Sequence, residues 1–325
     1  MTTELTPTVL VYLDGDPTRA AALEAITLGR ELGDVVAATA EPPTEATRET
    51  LGQYGVTRVL RLDAGETDLR LPAVVGQAVA AAAEEIDATA VLLTSSFVTK
   101  EIAAHAAHHL RAGLLVDVGS LHLHDGRLAG DKRVFGGTWD TSCAVTTARG
   151  VATVRPNAVV PEPAPRPASA EPGVLTVSVT TPAGLELVGR EVHESDADSR
   201  PSLAEAAIVV AGGRGTFGDF DPVNELADAL GAAVGTTRDC VDEGWLGHDA
   251  QVGQTGVTVA PRLYIGAGIS GAPHHIGGMS ASGTIVAVNI DAEAPLVEMA
   301  DFAVVGDLAS VLTDAAEAIR AHRGG

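Results

Sequence analysis

The sequence predicts an α/β protein of two domains. An N-terminal domain on a mostly parallel sheet with antiparallel additions is expected over residues 1–200, and a C-terminal doubly wound, Rossmann-like domain over residues 201–325. Three observations carry this prediction. Short apolar runs alternate with stretches of helical period in both halves, the pattern of βαβ units. In the second half the apolar runs end in glycine turns, "AGGRG" and "IGAGISG". Between the halves, "HESDADSRPS" (His193–Ser202) is charged and polar and marks the expected boundary. With 325 residues the chain is long enough for two separate cores.

In the first half, "TVLVYL" (Thr8–Leu13) reads as a strand and "TRAAALEAITLGREL" (Thr18–Leu32) as a helix, with Ala22, Ile26 and Leu28 near helical spacing. "DVVAAT", "RVLRL" (Arg58–Leu62) and "AVLLTSS" (Ala90–Ser96) continue as strands, followed by the helix "KEIAAHAAHHLRA" (Lys100–Ala112). "LHLHDGRLAG" places Asp125-Gly126 between alternating residues, which signals a hairpin. "VATVRP" and "VLTVSV" are expected as further strands, added antiparallel. The prolines of Pro156–Gly173 exclude helix and central strand, so a solvated excursion is expected there.

In the second half, Ala207–Ala211 is a buried strand that runs into Gly212-Gly213-Arg214-Gly215. The helix "DPVNELADALGAA" follows, with Pro222 in its first turn. "LYIGAG", "TIVAVNI" and "FAVVGD" (Phe302–Asp307) supply three more strands, and "LASVLTDAAEAIRA" closes the chain as a helix. In open parallel sheets, the turns that follow such strands are where ligands bind.

The composition limits the function. Hydrophobic residues make up 46% of the chain but aromatics only 3%, which suits a parallel sheet buried on both faces by small aliphatic side chains. A formal charge of -22 argues against nucleic acid or an anionic membrane as partner, and acts as a solubility feature. Cys143 and Cys240 form no C-x-x-C and imply no disulfide framework. The start of the chain carries no basic region followed by an apolar segment, and no run approaches the ~20 apolar residues of a membrane span. A cytoplasmic protein without an integral membrane segment is expected. His105, His108 and His109 share a helix face at i, i+3 and i+4. With no acid or cysteine added to them, a solvated face is expected and no metal site. No nucleophile or general-base cluster stands out, so no residue is assigned a catalytic role.

The chemistry lies in the glycine turns. Gly266 to Gly271 has the spacing G-x-G-x-x-G after a strand, and Asp291 follows about twenty residues later, where a dinucleotide site places its ribose-binding acid. A nicotinamide cofactor satisfies that much. It leaves Arg214 unexplained, and also the polar loop Gly235–Gly256, which holds Thr237, Arg238, Gln251, Gln254 and Thr255. Donors beyond those needed for a pyrophosphate suit a flavin, whose reduced ring gathers negative charge near N1 and the C2 carbonyl and takes a hydrogen bond at N5. His275, Arg238 and Thr255 are the right chemical types. A nicotinamide-dependent oxidoreductase and a non-redox nucleotide-binding subunit stay open as alternatives at this level.

"VVAGGRG", "DAQVGQTG", "PRLYIGAGISGA", "HIGGM", "TIVAVNIDAEAP" and "ADFAVVGDL" occur in that order. Together they resemble the FAD-binding domain of the alpha subunit of electron transfer flavoproteins, strongly over about the last 120 residues and more loosely over the N-terminal half. The resemblance implies a soluble electron carrier that binds FAD and shuttles electrons through anionic reduced forms of the flavin. It also implies a heterodimer with a beta subunit, which holds AMP or a second, bifurcating FAD. The implied donor is a flavin dehydrogenase, and the implied acceptor a quinone reductase or another protein.

Roles carry over residue by residue. The resemblance implies Arg214 and Thr237 near the phosphates, and Arg238 over the flavin ring. It implies Gln251, Gln254 and Thr255 at the flavin, with Thr255 on N5. Gly268, Ser270 and Gly271 would receive the pyrophosphate at a helix start. His275 would hydrogen-bond the C2 carbonyl with His274 beside it. Asn289 and Asp307 would serve the adenosine end, and Asp291 keeps the ribose-binding place that the glycine spacing gives it. There are departures. His274, preceded by Pro273, stands where the family usually has glutamine, and Val257, Gly283 and Ile290 stand where lysines are common. These departures imply a divergent paralogue serving its own dehydrogenase.

Overall fold

The computed structural model describes residues 6–135, 137–189 and 200–323. It separates into two compact units, one of Met1–Lys132 with Asp140–Val192 and one of Arg133–Trp139 with His193–Gly325. Of the expected boundary segment His193–Ser202, residues 193–199 lie outside the described residues.

The first unit opens with β1 (Thr8–Tyr12), α1 (Ala20–Leu32), β2 (Asp34–Thr39), α2 (Glu45–Gln53), β3 (Val56–Asp63), α3 (Pro72–Glu85), β4 (Ala90–Thr94) and α4 (Phe97–Leu110). It continues with β5 (Gly113–Val118), β6 (Ser120–His124), β7 (Arg127–Val134), β8 (Trp139–Ala144), β9 (Gly150–Val154) and β10 (Glu171–Thr176). Seven strands form one sheet in the order β10-β3-β2-β1-β4-β9-β5. Val9, Leu10 and Val11 of β1 and Leu92 and Leu93 of β4 are fully buried, because helices cover both faces. Ala22, Ala25, Ile26 and Leu28 of α1 pack on one face. Ala78, Val79 and Ala82 of α3 and Ile102, Ala103 and Ala106 of α4 pack on the other. Ser96 and Thr99 form a reciprocal capping box that starts α4.

Two details differ from the sequence expectation. The strands expected to add antiparallel do not: β9 pairs parallel with β4 and with β5, and β10 pairs parallel with β3. Each returns to the sheet through a long connection instead of a hairpin, and long connections allow parallel pairing. The antiparallel pairing in this unit is between β6 and β7, in a separate three-stranded sheet completed by β8. Asp125 and Gly126 both have positive φ (51° and 72°) at the β6–β7 turn, as the hairpin signal requires. The second difference is the proline-rich excursion. It is tied down by Glu24 Oε2, which accepts from the Ala158 N–H, and by Arg30, which donates to the Glu162 carbonyl. Its last residues, Glu171–Gly173, already belong to β10. Pro172 is tolerated because β10 is an edge strand.

The second unit holds β11 (Ile208–Gly212), α5 (Asp221–Leu230), β12 (Ala233–Thr236), α6 (Arg238–Asp242), β13 (Leu263–Ala267), α7 (Pro273–Met279), β14 (Thr284–Asn289), α8 (Pro295–Met299), β15 (Phe302–Val305) and α9 (Leu308–Arg323). All its strand pairs are parallel, in the order β12-β11-β13-β14-β15. One face is closed by Met279 and Leu296, the other by Phe220, Leu226 and Leu312. Among the described residues no helix is long and apolar enough to cross a membrane.

Leu92→Ala removes a fully buried side chain from the centre of the first sheet. It is expected to lower the unfolding free energy by about 2–5 kcal/mol. Val174→Ala on the exposed edge strand β10 should change it by less than about 0.5 kcal/mol. Urea titrations followed by far-UV circular dichroism separate the two outcomes.

Candidate functional site

The strand order of the second unit reverses between β11 and β13, and the turns after these two strands meet at that reversal. The Gly213 N–H donates to the Ala267 carbonyl (2.9 Å), and the Gly215 N–H to the Gly268 carbonyl (3.0 Å). Gly268 has a φ of +63°, and a Cβ on it would stand 2.8 Å from Gly215 Cα. Only glycine fits both the backbone conformation and the contact. A single 3-10 turn, Arg214–Thr216, follows the first glycine turn and turns the chain toward α5.

A cleft of about 280 Å³ opens at this edge, near the lower end of ligand sites (~300–1,000 Å³). Of the residues expected to bind a cofactor, Arg214, Thr237, Arg238, Gln251, Thr255, Gly268, Ser270, His274, His275, Asn289 and Asp291 line it. Local bonds fix several of them. Gln251 is buried and donates from Nε2 to Thr255 Oγ1 (2.9 Å), while the Val252 N–H anchors that loop to the Thr236 carbonyl at the end of β12 (2.9 Å). Asn289 donates from Nδ2 to the Ile269 carbonyl (3.0 Å) and accepts from the Asp291 N–H (3.1 Å), tying the end of β14 to the glycine turn. The two arginines are exposed and paired. Arg214 Nε lies 3.2 Å from Asp239 Oδ2, and Arg238 Nε 3.3 Å from Asp242 Oδ2.

Three expected residues are not brought to the cleft lining. Gly271 is buried, with a φ of +92°, and a Cβ on it would meet the Leu296 backbone, so it shapes the turn from behind. The Gln254 side chain lies against Gly277. Asp307 caps α9: its carboxylate accepts from the N–H and hydroxyl of Ser310, and these bonds hold it below the usual aspartate range. The helix expected to receive an anion is also weaker than its sequence implied. α7 has seven residues and opens on Pro273, which has no N–H. The lining also includes Asp239, Val252, Gly253, Ile269, Ala272 and Ala294, which the sequence reading did not single out. Asp239 adjoins Arg238, but its pairing to Arg214 depends on the meeting of two loops and leaves no spacing signal.

His275 differs most from expectation. It is 5% exposed, and both ring nitrogens are engaged. Nδ1 faces the Val252 carbonyl (3.1 Å) and Nε2 the Tyr264 hydroxyl (2.7 Å). Burial pushes its pKa down from 6.5 to about 4, so the ring is neutral at neutral pH. A carbonyl only accepts, so Nδ1 carries the proton, and Nε2 accepts from the Tyr264 O–H. The N–H expected to reach a flavin C2 carbonyl is therefore already committed.

Two family models match the chain, "Electron transfer flavoprotein domain" over residues 9–182 and "Electron transfer flavoprotein FAD-binding domain" over residues 202–280. The chain is similar to the electron transfer flavoprotein subunit alpha of Mycobacterium leprae, with 40% identity over 307 residues that cover 93% of this chain and 94% of the relative. It is 35% identical to that of Syntrophomonas wolfei (90% and 92% covered) and 33% identical to that of Bacillus subtilis (89% of each). The chain belongs to the electron transfer flavoprotein alpha subunit family. The FAD-binding model spans β11 to α7, which carry both glycine turns, both arginines and His275. Asn289, Asp291 and Asp307 lie beyond it.

Two outcomes are expected in this unit. Gly268→Ala forces a Cβ into a positive-φ turn against the Gly215 backbone and should cost about 1–3 kcal/mol, seen as a lower thermal midpoint. His275 has a folded-state pKa below its unfolded value, so the unfolded chain takes the proton first as pH falls. Its stabilising contribution is complete above the unfolded value of 6.5 and is lost as pH falls toward about 4, about 3 kcal/mol in all. Denaturation curves at successive pH values should show this loss in the parent and not in His275→Asn.

Proposed function

We propose that the cleft binds FAD and that the chain is the FAD-binding alpha half of a heterodimeric electron carrier. In this reading it takes electrons from a flavin dehydrogenase and passes them to a quinone reductase or another acceptor. The observation that carries the proposal is the pair of interlocked glycine turns at the sheet's switch point, bordered by Arg214 and Arg238, within the stretch that matches the FAD-binding domain. A bound flavin supplies electron transfer in steps of one or two electrons.

The residues present fit such a group. Gly253 and Gly268 give the cleft a surface without side chains, and Val252, Ile269, Ala272 and Ala294 give it apolar walls. Thr237, Ser270 and Thr255 offer hydroxyls, Asn289 an amide, and Asp291 a carboxylate able to accept from a ribose. Arg214 and Arg238 carry positive charge, which suits a pyrophosphate and a ring that becomes anionic. In this role they exchange their carboxylate partners on α6 for anionic groups of the cofactor. The nicotinamide alternative has no observation in its favour beyond the glycine spacing and Asp291, which the FAD reading uses as well.

The test is to purify the chain together with its beta subunit and record the visible spectrum. Flavin bands are expected. A colourless complex after incubation with excess FAD would overturn the proposal. Arg238→Ala removes a charged donor and is expected to weaken FAD binding roughly 10- to 100-fold, measured by flavin fluorescence quenching. Asp239→Asn frees Arg214 from a competing carboxylate and should tighten binding by up to roughly fivefold, an effect that fades at high salt.

A further inference from the structure

The cationic groups of the cleft are unevenly committed. Arg214 is held by Asp239, and Arg238 by Asp242. His274 also lines the cleft and is exposed, and among the described residues its imidazole has no hydrogen bond or ion pair. The backbone of the same residue is fixed. Its carbonyl accepts from the Gln254 N–H (3.0 Å), which pins the start of α7 to the loop that carries Gln251 and Thr255. The α-carbon is thus placed, while the side chain is free to meet a ligand. The first turn of α7 has few backbone donors to spare. Pro273 has no N–H, and the His275 and Ile276 N–H groups both donate to the Ala272 carbonyl (2.9 and 3.0 Å).

We propose that the His274 side chain supplies what that turn lacks. Protonated, its imidazole donates to the pyrophosphate of the cofactor alongside Arg214 and Ser270, so the cleft takes FAD more tightly as pH falls. The inference rests on the FAD reading for what fills the cleft and adds to it a contact that is made and lost with a proton.

A histidine changes charge between about pH 5 and 8. An anion that bonds to the protonated form of such a ring raises its pKa, so protonation and binding reinforce each other. The gain in affinity is complete below the pKa of the free ring and is lost as pH rises through that of the bound one. The charged groups that share the cleft with His274 are Arg214 from the first glycine turn, Arg238 and Asp239 from α6, and Asp291 after β14. The Gln251–Thr255 loop brings no charge of its own, and His248 and Asp249 just before it are not part of the lining. His275 follows on α7. It is retained in every protein compared below, so whatever it adds to the pH dependence is common to all of them.

The experiment compares parent, His274→Gln and His274→Lys, each as the complex with its beta subunit. Two probes are titrated: oxidised FAD, and ADP-ribose, which has the pyrophosphate without the flavin. Neither probe has a group that itself titrates in the range used. The parent is expected to bind both roughly three- to tenfold more tightly at about pH 5.5 than at about pH 8. His274→Gln should bind at both pH values as the parent does at the higher one, and His274→Lys should bind tightly at both. Nitrogen-15 histidine spectra, with His274 assigned by its loss in His274→Gln, should show its titration midpoint rise when ADP-ribose is added to the parent. Affinities that do not change with pH overturn the inference, as does a pH dependence that persists in His274→Gln. A pH dependence seen with FAD and absent with ADP-ribose also overturns it, because the contact is then not to the pyrophosphate. In each of these cases FAD still binds and the FAD reading stands. A complex that binds ADP-ribose with the expected pH dependence and takes up no FAD keeps the role of His274 and ends the FAD reading. A complex that binds neither probe ends both.

Discussion

The interlock of two glycine turns governs the second unit. The Gly213 and Gly215 N–H groups donate to carbonyls of the turn after β13, and Gly268 presses against Gly215 with no room for a side chain. The contact joins the ends of neighbouring parallel strands at the point where the sheet's winding reverses. Everything that lines the cleft is placed relative to it. Arg214 leaves the first turn, Ser270 leaves the second, and Asn289 is bonded to the second through the Ile269 carbonyl. The glycines remove side-chain bulk so that backbone can approach whatever occupies the cleft, and the same requirement leaves the turns with little conformational freedom once folded.

Charge is managed locally against the background of the chain. A net charge of -22 would oppose an anionic ligand over the whole surface. At the cleft, two arginines stand among two aspartates, Asp239 and Asp291, so the lining is balanced rather than acidic. Both arginines are well exposed and each is held by a carboxylate of α6. Exposed pairs of this kind contribute little to stability, ~0–1 kcal/mol. They orient the guanidinium groups before any ligand arrives and are weak enough to be exchanged for stronger anionic partners.

Much of this was legible in the sequence where one local rule sufficed. Alternating apolar and helical runs gave the two parallel sheets, Asp125-Gly126 gave its hairpin, and the glycine spacing with Arg214 and Arg238 located the cleft. The rest depends on tertiary contact. The direction of β9 and β10 is set by which strand each returns to, and strand composition does not encode that. The short helix α6 lies within a stretch too polar and glycine-rich to show helical period, so it read as loop. Asp239 became a lining residue only when two loops met. The resemblance implies Asp307 at the adenosine end, and in the fold it caps α9 through Ser310, a role that an aspartate just before a helix also serves.

His275 shows how a buried partner can change a residue's role without changing its place. From sequence, a histidine beside a glycine turn is a donor for an anionic ring. In the fold it does border the cleft, yet a fully buried tyrosine claims one nitrogen and a loop carbonyl the other. Burying a neutral, doubly bonded imidazole costs far less than burying a cation, and burial itself drives the ring to the neutral form. The hydroxyl of Tyr264 would in turn be an unpaired polar group without His275. Each satisfies the other, and together they brace the loop that carries Gln251 and Thr255 against β13. Positive charge resides on the exposed arginines, and the imidazole is held neutral inside the wall.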